Sequence, residues 1–356
     1  SATPDGTDRY RKRFSQKIAR EHFRQSDGLW VSSIGIGTYL GNHDDDTDEQ
    51  YREAIVAAVA SGCNVVDTAI NYRCQRSERA IGMALKDLAA RGYDRNEIIV
   101  ATKGGFLPFD GEPPKDARSY FEQNFVGTGL ATAAEIVGGY HCMTPRYLTH
   151  QLESSLRNLD LECIDIYYVH NPESQLGKIT RDTFDDRLCR AFEALEQAVA
   201  SGKIRMYGTA TWNGYRNPAE AIDHLSIAEV VSLAERAGGK DHHFKMIQLP
   251  LNLGMSEALS SVNQKANGRE ATLLEAAQAF NVAVMCSATV LQGQLTRNLP
   301  DVIRDTFTGL DTDGQRALQF LRSTPGVTTA LVGMKQLSHV EENLKTACIP
   351  PAPWDQ

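Results

Sequence analysis

Ile164-Asp-Ile-Tyr-Tyr-Val-His170 is a run of β-branched and aromatic residues that stops on a histidine, and two earlier runs share its design. Asn64-Val-Val-Asp67 ends on an acid with Tyr72 just beyond, and Ile98-Ile-Val-Ala-Thr-Lys103 ends on an amine. Short runs of this kind read as buried parallel strands, apolar because both faces are covered. In a closed barrel of such strands the carboxyl ends face the substrate, so polar residues there read as catalytic. An acid, a phenol, an amine and an imidazole are expected to meet in one mouth.

Working outward, five further runs complete a set of eight candidate strands: 33–37, 64–67, 98–103, 164–170, 204–208, 246–249, 282–286 and 328–332. Helical patterns follow each of them, over 48–60, 77–90, 144–159, 184–200, 218–237, 272–280, 314–323 and 338–345. Eight alternations of strand and helix predict an α/β protein with a (β/α)8 TIM barrel. Gly92, Gly202 and Gly238-Gly239 fall just past helix ends, where a left-handed cap is wanted. No repeat or Pro/Ser-rich linker divides the chain. The reading is therefore one barrel domain over residues 31–346, an N-terminal extension over 1–30 ending in a small hairpin, and a tail over 347–356. The third strand is followed by an insertion over 104–143, far longer than the usual connection and rich in aromatics.

Composition narrows the function. The 356 residues are 42% hydrophobic and 23% charged, enough to bury a large core, and the net charge of −8 disfavours backbone binding to nucleic acid. The aliphatic stretch 54–60 is too short to span a bilayer, and the first residues carry no apolar leader, so no membrane partner is expected. Seven scattered cysteines form no metal-ribbon spacing, and no Asn-x-Ser/Thr site exists. Both absences fit a reducing cytoplasm.

Gly35-Ile-Gly37-Thr-Tyr-Leu-Gly41 looks like a dinucleotide fingerprint, but its third glycine is one position late and the next helix starts only after an acidic loop. A doubly wound sheet is therefore the weaker reading. Five blocks taken together instead resemble the aldo-keto reductase superfamily. They are Ile34-Gly-Ile-Gly-Thr-Tyr39; Asn64-Val-Val-Asp-Thr-Ala-Ile-Asn-Tyr72 with Ser77-Glu78 and Ile81-Gly82; Ala101-Thr-Lys103; Ile164 to His170; and Leu331-Val-Gly333 with Glu342-Asn343. The resemblance runs in order over about residues 30–345. It implies a barrel that reduces aldehydes and ketones with NADPH, or less often NADH, and places the catalytic set on Asp67, Tyr72, Lys103 and His170.

Carbonyl reduction needs a hydride and a proton for the developing alkoxide. Tyr72 is the expected acid, Lys103 the cation that lowers its proton affinity, Asp67 the group that keeps Lys103 charged, and His170 the hydrogen-bond partner of the carbonyl oxygen. Alone, each has a plainer reading: a loop cap, a packed aromatic, a solvated strand end, a core histidine. Three successive strand ends carrying the set favour a shared site. Tyr167 and Tyr168 read as packing, one on each face of the strand.

Phosphates in barrels sit in the loops after the seventh and eighth strands. Ser287 with Gln292, Gly293 and Leu295, and Gly333 with Lys335, fall there. By resemblance, Gly37, Thr38, Asp67, Thr211 and Gln248 line the nicotinamide end, Glu342 and Asn343 the adenine, and Lys335 and His339 a 2′-phosphate. Ser338 and Glu341 read as a capping box. The chain departs from the family where Ala210-Thr211 stands for a hydroxyl and an amide, and where Cys286 replaces the aromatic expected against the nicotinamide. Tyr39, Phe106 and Phe109 are the expected substrate contacts, for a small-molecule carbonyl compound. A nucleotide-binding regulatory protein like the potassium-channel β subunits is the alternative. A metal-dependent hydrolase is disfavoured because no strand ends in paired histidines and His242-His243 precedes a strand.

Overall fold

A computed structural model of the chain describes residues 1–354. The eight apolar runs form parallel strands β1 Ile34–Gly37, β2 Val65–Asp67, β3 Ile99–Gly104, β4 Ile164–His170, β5 Ile204–Ala210, β6 Phe244–Pro250, β7 Ala283–Ser287 and β8 Val327–Gly333. They close into a barrel in chain order, with β8 pairing back onto β1. Helices α1 Asp45–Ala60, α2 Arg76–Ala90, α3 Pro145–Leu159, α4 Arg181–Ala200, α5 Ile227–Gly238, α6 Leu273–Ala279, α7 Asp313–Ser323 and α8 Leu337–Lys345 alternate with them. The fold is a (β/α)8 barrel.

Successive side chains on a strand point to opposite faces. Ile36, Val66, Val100, Tyr167, Tyr207 and Ile247 pack outward in the helix layer. Val65, Ile99, Ala101, Ile166, Tyr168, Met206, Met246 and Met285 fill the interior. Extending the inward set to the strand ends brings Asp67, Lys103, His170, Gln248 and Ser287 to the carboxyl-end mouth. Register keeps them level: Gly37 lies opposite both Gly333 and Asp67, and Ala210 opposite both His170 and Gln248.

The amino end of the barrel is closed by a hairpin, Phe23–Ser26 paired with Leu29–Ser32. Its two-residue turn, Asp27-Gly28, has positive φ at both positions, the hand that suits twisted strands. Leu29, Val31 and Ala2 join the interior cluster and plug the barrel floor. Ahead of the hairpin lies a helix over Pro4–Arg13, capped by Thr3, in the extension where the sequence reading placed only a hairpin.

Helix starts depart from expectation: α1 and α4 each begin three residues early, at Asp45 and Arg181, and α5 and α8 differ in how they are capped. α5 begins at Ile227 because Ser226 caps it, accepting from the Glu229 amide, while 217–225 forms a turn closed by Asn217 on Asp223 and His224 on the Asn217 carbonyl. The proline at 218 misleads because a proline also suits turns. α8 begins at Leu337 with Gln336 at the cap and no side-chain cap bond, so Ser338 and Glu341 do not form the expected capping box.

The insertion has its own core. Leu107, Phe125, Ala131, Cys142 and Tyr147 pack together, and a short helix Ala117–Phe121 continues into a wider turn over Glu122–Val126. Its two ends are pinned side by side: Cys142 N donates to Gly105 O (2.9 Å), Leu107 N to Tyr140 O (2.8 Å), and Phe106 bridges His141. From α3, Gln151 accepts from Gly105 N (2.7 Å) and donates to Phe106 O (2.7 Å).

Two of the histidines outside the strand ends, His22 and His141, are buried uncharged. Burial lowers the His22 imidazole to about 3 and the His141 imidazole to about 4. Below about pH 6.5 the unfolded chain therefore binds protons that the native state refuses, and stability falls with pH down to those values, by up to about 1.4 kcal/mol per pH unit for each group. His22→Gln should make the fall of the urea midpoint between pH 7 and pH 4.5 shallower, even though the variant is weaker at pH 7. An unchanged slope would count against His22 as a source.

Candidate active site

The floor of the mouth is an ion pair. Lys103 Nζ donates to Asp67 Oδ1 (2.6 Å) and to Thr68 O (2.7 Å), and Gln248 Nε2 donates to Asp67 Oδ2 (2.8 Å). Lys103 is fully buried and Asp67 nearly so. Burial pushes the carboxyl up and the ammonium down, and each charge opposes the other's shift. Thr38 Oγ1 donates to the Asp67 carbonyl (3.1 Å), while Ser77 Oγ donates to the Thr38 carbonyl (2.7 Å), so Thr38 ties β1 to β2.

Tyr72 stands over this pair. The ammonium of Lys103 lies 4.9 Å from the centre of the Tyr72 ring, over its face, and is already matched by Asp67. The expected lowering of the phenol is therefore not what the geometry gives. Burial, then the charge of Asp67, then Tyr39 push Tyr72 well above the ordinary tyrosine range. A phenol that holds its proton at rest is suited to donating one.

His170 meets Tyr72 edge-on at 5.9 Å and Phe106 edge-on at 4.9 Å. It is buried, Nδ1 has no hydrogen-bond partner among the described residues, and burial together with the Lys103 charge lowers it well below the usual imidazole range. His170 is a neutral ring.

The chain that follows Tyr72 is strained. Arg73, Cys74 and Gln75 all have positive φ (48°, 55° and 68°), without a glycine among them. Such residues cost about 1–3 kcal/mol each and persist only where the surroundings impose them. Arg73 Nε donates to Asn42 O (2.7 Å) and its Nη2 to Asp48 (2.6 Å). Cys74 O accepts from Gly111 N (2.9 Å), and Gln75 donates to Phe109 O (3.0 Å) and accepts from Asn158 (3.0 Å). The insertion thus holds two of the three residues. Sequence reasoning missed this segment because nothing in Arg-Cys-Gln signals a left-handed turn.

Tyr39, 58% exposed, lies edge-on to Tyr72 at 4.9 Å, and half-buried Phe106 stacks on Tyr140 at 5.9 Å. These rings line one side of the mouth. Phe109 does not join them: it lies flat on Phe121 at 5.0 Å, inside the insertion's own aromatic cluster. Cys286 also differs from expectation. It falls on the outward parity of β7 and is fully buried in the helix layer, while Met285 faces the interior and meets the Tyr168 hydroxyl at 3.5 Å. Its thiol offers no face to the mouth.

Among the nucleotide positions, Gly333 is exposed with open space around it, and the 291–296 segment takes positive φ at Leu291, Gln292 and Gly293. Lys335 is partly exposed and His339 exposed. Thr211 is buried, with its hydroxyl unpartnered among the described residues, and Asn343 is buried. Glu342 is already engaged, accepting from Thr312 Oγ1 (2.6 Å), which fixes the start of α7. Gln248 is likewise committed to Asp67. Glu173 was not anticipated: buried, it accepts the Trp212 and Asn213 amides (2.7 and 3.1 Å) and so shapes the loop after β5. Unpartnered buried groups at Thr211 and His170, an open glycine at the end of β8 and a partly exposed lysine fit a dinucleotide laid across the second half of the mouth.

Comparison with known proteins agrees with the geometry. The model of the aldo/keto reductase family matches residues 33–307. A putative voltage-gated potassium channel subunit beta of Schizosaccharomyces pombe is 24% identical over 93% of this chain and 89% of its own, and a probable one of Arabidopsis thaliana is 21% identical over 91% and 90%. Rabbit (Oryctolagus cuniculus) prostaglandin-E(2) 9-reductase is 24% identical over 53% of this chain and 49% of its own. The same fold occurs in an aldo/keto reductase of Klebsiella pneumoniae solved with NADP and acetate, with a TM-score of 0.61, 21% identity and coverage of 94% of this chain and 90% of that one.

Removing one member of the ion pair leaves a buried charge alone, which costs about 3–5 kcal/mol. Lys103→Met should lose stability on that scale in urea melts, and the double variant Asp67→Leu/Lys103→Met should lose much less than the sum of the two single changes. Additive losses would show that the two side chains are not energetically coupled.

Proposed function

This chain belongs to the aldo/keto reductase family, and from that premise we propose that it is an NADPH-dependent oxidoreductase that reduces an aldehyde or ketone to an alcohol. The observation that carries the reading is the meeting of a proton-bearing phenol, a neutral imidazole and a matched ammonium and carboxylate in one mouth. Gly37, Thr211, Ser287, the 291–296 segment, Gly333, Lys335 and Asn343 would hold the dinucleotide. When bound, NADPH supplies the hydride that reaches the carbonyl carbon.

The residues of the chain manage the proton. Tyr72 gives its hydroxyl proton to the carbonyl oxygen as the alcohol forms. The negative charge then left on the phenol grows against the Lys103 ammonium, whose place over the ring face favours the ionised product more than the resting phenol. Asp67 keeps that ammonium charged in a dry site. His170 hydrogen-bonds the carbonyl oxygen and sets its direction, and because the ring is neutral it does not compete as a proton source.

A second reading, a nucleotide-binding regulatory subunit with little turnover, is favoured by the two channel-β relatives matched over nearly the whole chain. An aldehyde panel with NADPH separates the two.

Tyr72→Phe removes only the transferable proton, so turnover should drop by about 10²-fold or more while NADPH still binds, as read by nicotinamide fluorescence. Activity within about tenfold of the parent would displace Tyr72 from the role.

NADPH should bind more tightly than NADH, and Lys335→Ala should narrow the gap, because a 2′-phosphate carries about −1.5 to −2 charge near neutral pH. Titrating both nucleotides against both proteins measures it, and equal affinities in the parent would remove Lys335 as the discriminating group.

A further inference from the structure

The far end of the insertion reaches His170, the ring assigned to orient the substrate, and its role there rests on that assignment. His141 is fully buried and both its ring nitrogens are engaged. Nε2 donates to the His170 carbonyl (2.7 Å), and Nδ1 accepts from Gln175 Nε2 (2.9 Å). Gln175, also buried, accepts at Oε1 from Arg187 Nη1 on α4 (3.1 Å), and Arg187 donates back to the Ala134 and Glu135 carbonyls of the insertion (3.3 and 3.5 Å). One tautomer of His141 satisfies every bond in this chain, so the ring is locked.

The carbonyl that His141 holds sits where β4 ends. Asn171 turns left-handed (φ 44°) with its own amide on Ala210 O (2.6 Å), taking the chain out of the barrel wall. The backbone of His170 is thus at the point where ladder support stops, and the insertion supplies the next bond. Gly105 makes the approach possible: a Cβ there would lie 2.8 Å from His141 Nε2 and 2.9 Å from His170 O, and its φ of +144° suits glycine alone. Phe106 then closes on the ring itself, edge-on to His170 at 4.9 Å and to His141 at 5.3 Å.

We propose that His141 and Phe106 are positioning residues for His170, His141 fixing its backbone and Phe106 its ring, so that the 104–143 insertion is a working part of the site. The competing account is that both only fill space, in which case their loss costs stability and leaves His170 unchanged.

Three variants in the full chain decide, His141→Leu, His141→Gln and Phe106→Leu, each read by ¹⁵N-histidine resonances and by steady-state kinetics. His141→Leu should shift the His170 ring resonances and lower kcat by about ten- to a hundredfold, with NADPH affinity unchanged, since misplacement of about 1 Å in a reacting geometry can cost that much. His141→Gln, whose amide can donate to the same carbonyl, should recover most of the loss, and Phe106→Leu should shift the same resonances. His170 resonances unmoved in folded His141→Leu, or equal losses in the glutamine and leucine variants, would overturn the proposal. Should His141→Leu fail to fold, Phe106→Leu carries the test, and His170 resonances unmoved in it would overturn the proposal. The resonances need no substrate, so a parent protein without turnover would sink the reductase reading and still leave this one decided.

Discussion

Everything at the mouth is arranged around the buried contact between Lys103 and Asp67. Two charges taken from water cost several kcal/mol each, and their attraction offsets this only where the geometry is close and the remaining polar atoms are met. Here they are met: Thr68 supplies a carbonyl to the ammonium and Gln248 an amide to the carboxylate. The contact joins β2 to β3 and, through Gln248, spans the barrel to β6. It therefore sets the register of the strand ends and leaves a fixed charge pattern beneath Tyr72.

The same pair explains why the proton carriers beside it are neutral. A dry pocket that already contains a matched pair has no solvent for a third charge, so burial keeps the proton on Tyr72 and off His170. In the proposed reaction charge would be tolerated only where it develops, on the phenol against the ammonium. This is a different arrangement from a lysine that lowers the resting acidity of its tyrosine. In the proposed reduction it would place the electrostatic contribution in the transition state rather than in the ground state.

The strand ends were legible because period two and a closed barrel leave little choice: Asp67, Lys103 and His170 share the inward parity with Ala101 and Ile166. That parity also corrects the reading of Cys286, which a linear motif match had placed against the cofactor although its neighbours alternate it outward. The bond that Glu342 accepts from Thr312 was out of reach of a local reading for a similar reason, since Thr312 lies thirty residues away at the cap of α7. No local signal marks the left-handed run at 73–75, because Arg, Cys and Gln take that conformation only when tertiary contacts impose it.

Those contacts give the insertion its meaning. A lid must be able to leave, whereas this long aromatic insertion is tied by hydrogen bonds to both halves of the mouth. Gly111 and Phe109 hold Cys74 and Gln75, and so the turn that follows Tyr72, while His141 and Phe106 hold His170. Opening it would release a strained turn of about 1–3 kcal/mol per residue and strip partners from buried polar groups at once. Local opening is confined to parts of a fold with few such ties. The exposed side of the mouth is therefore at Tyr39, against a wall that the insertion keeps in place.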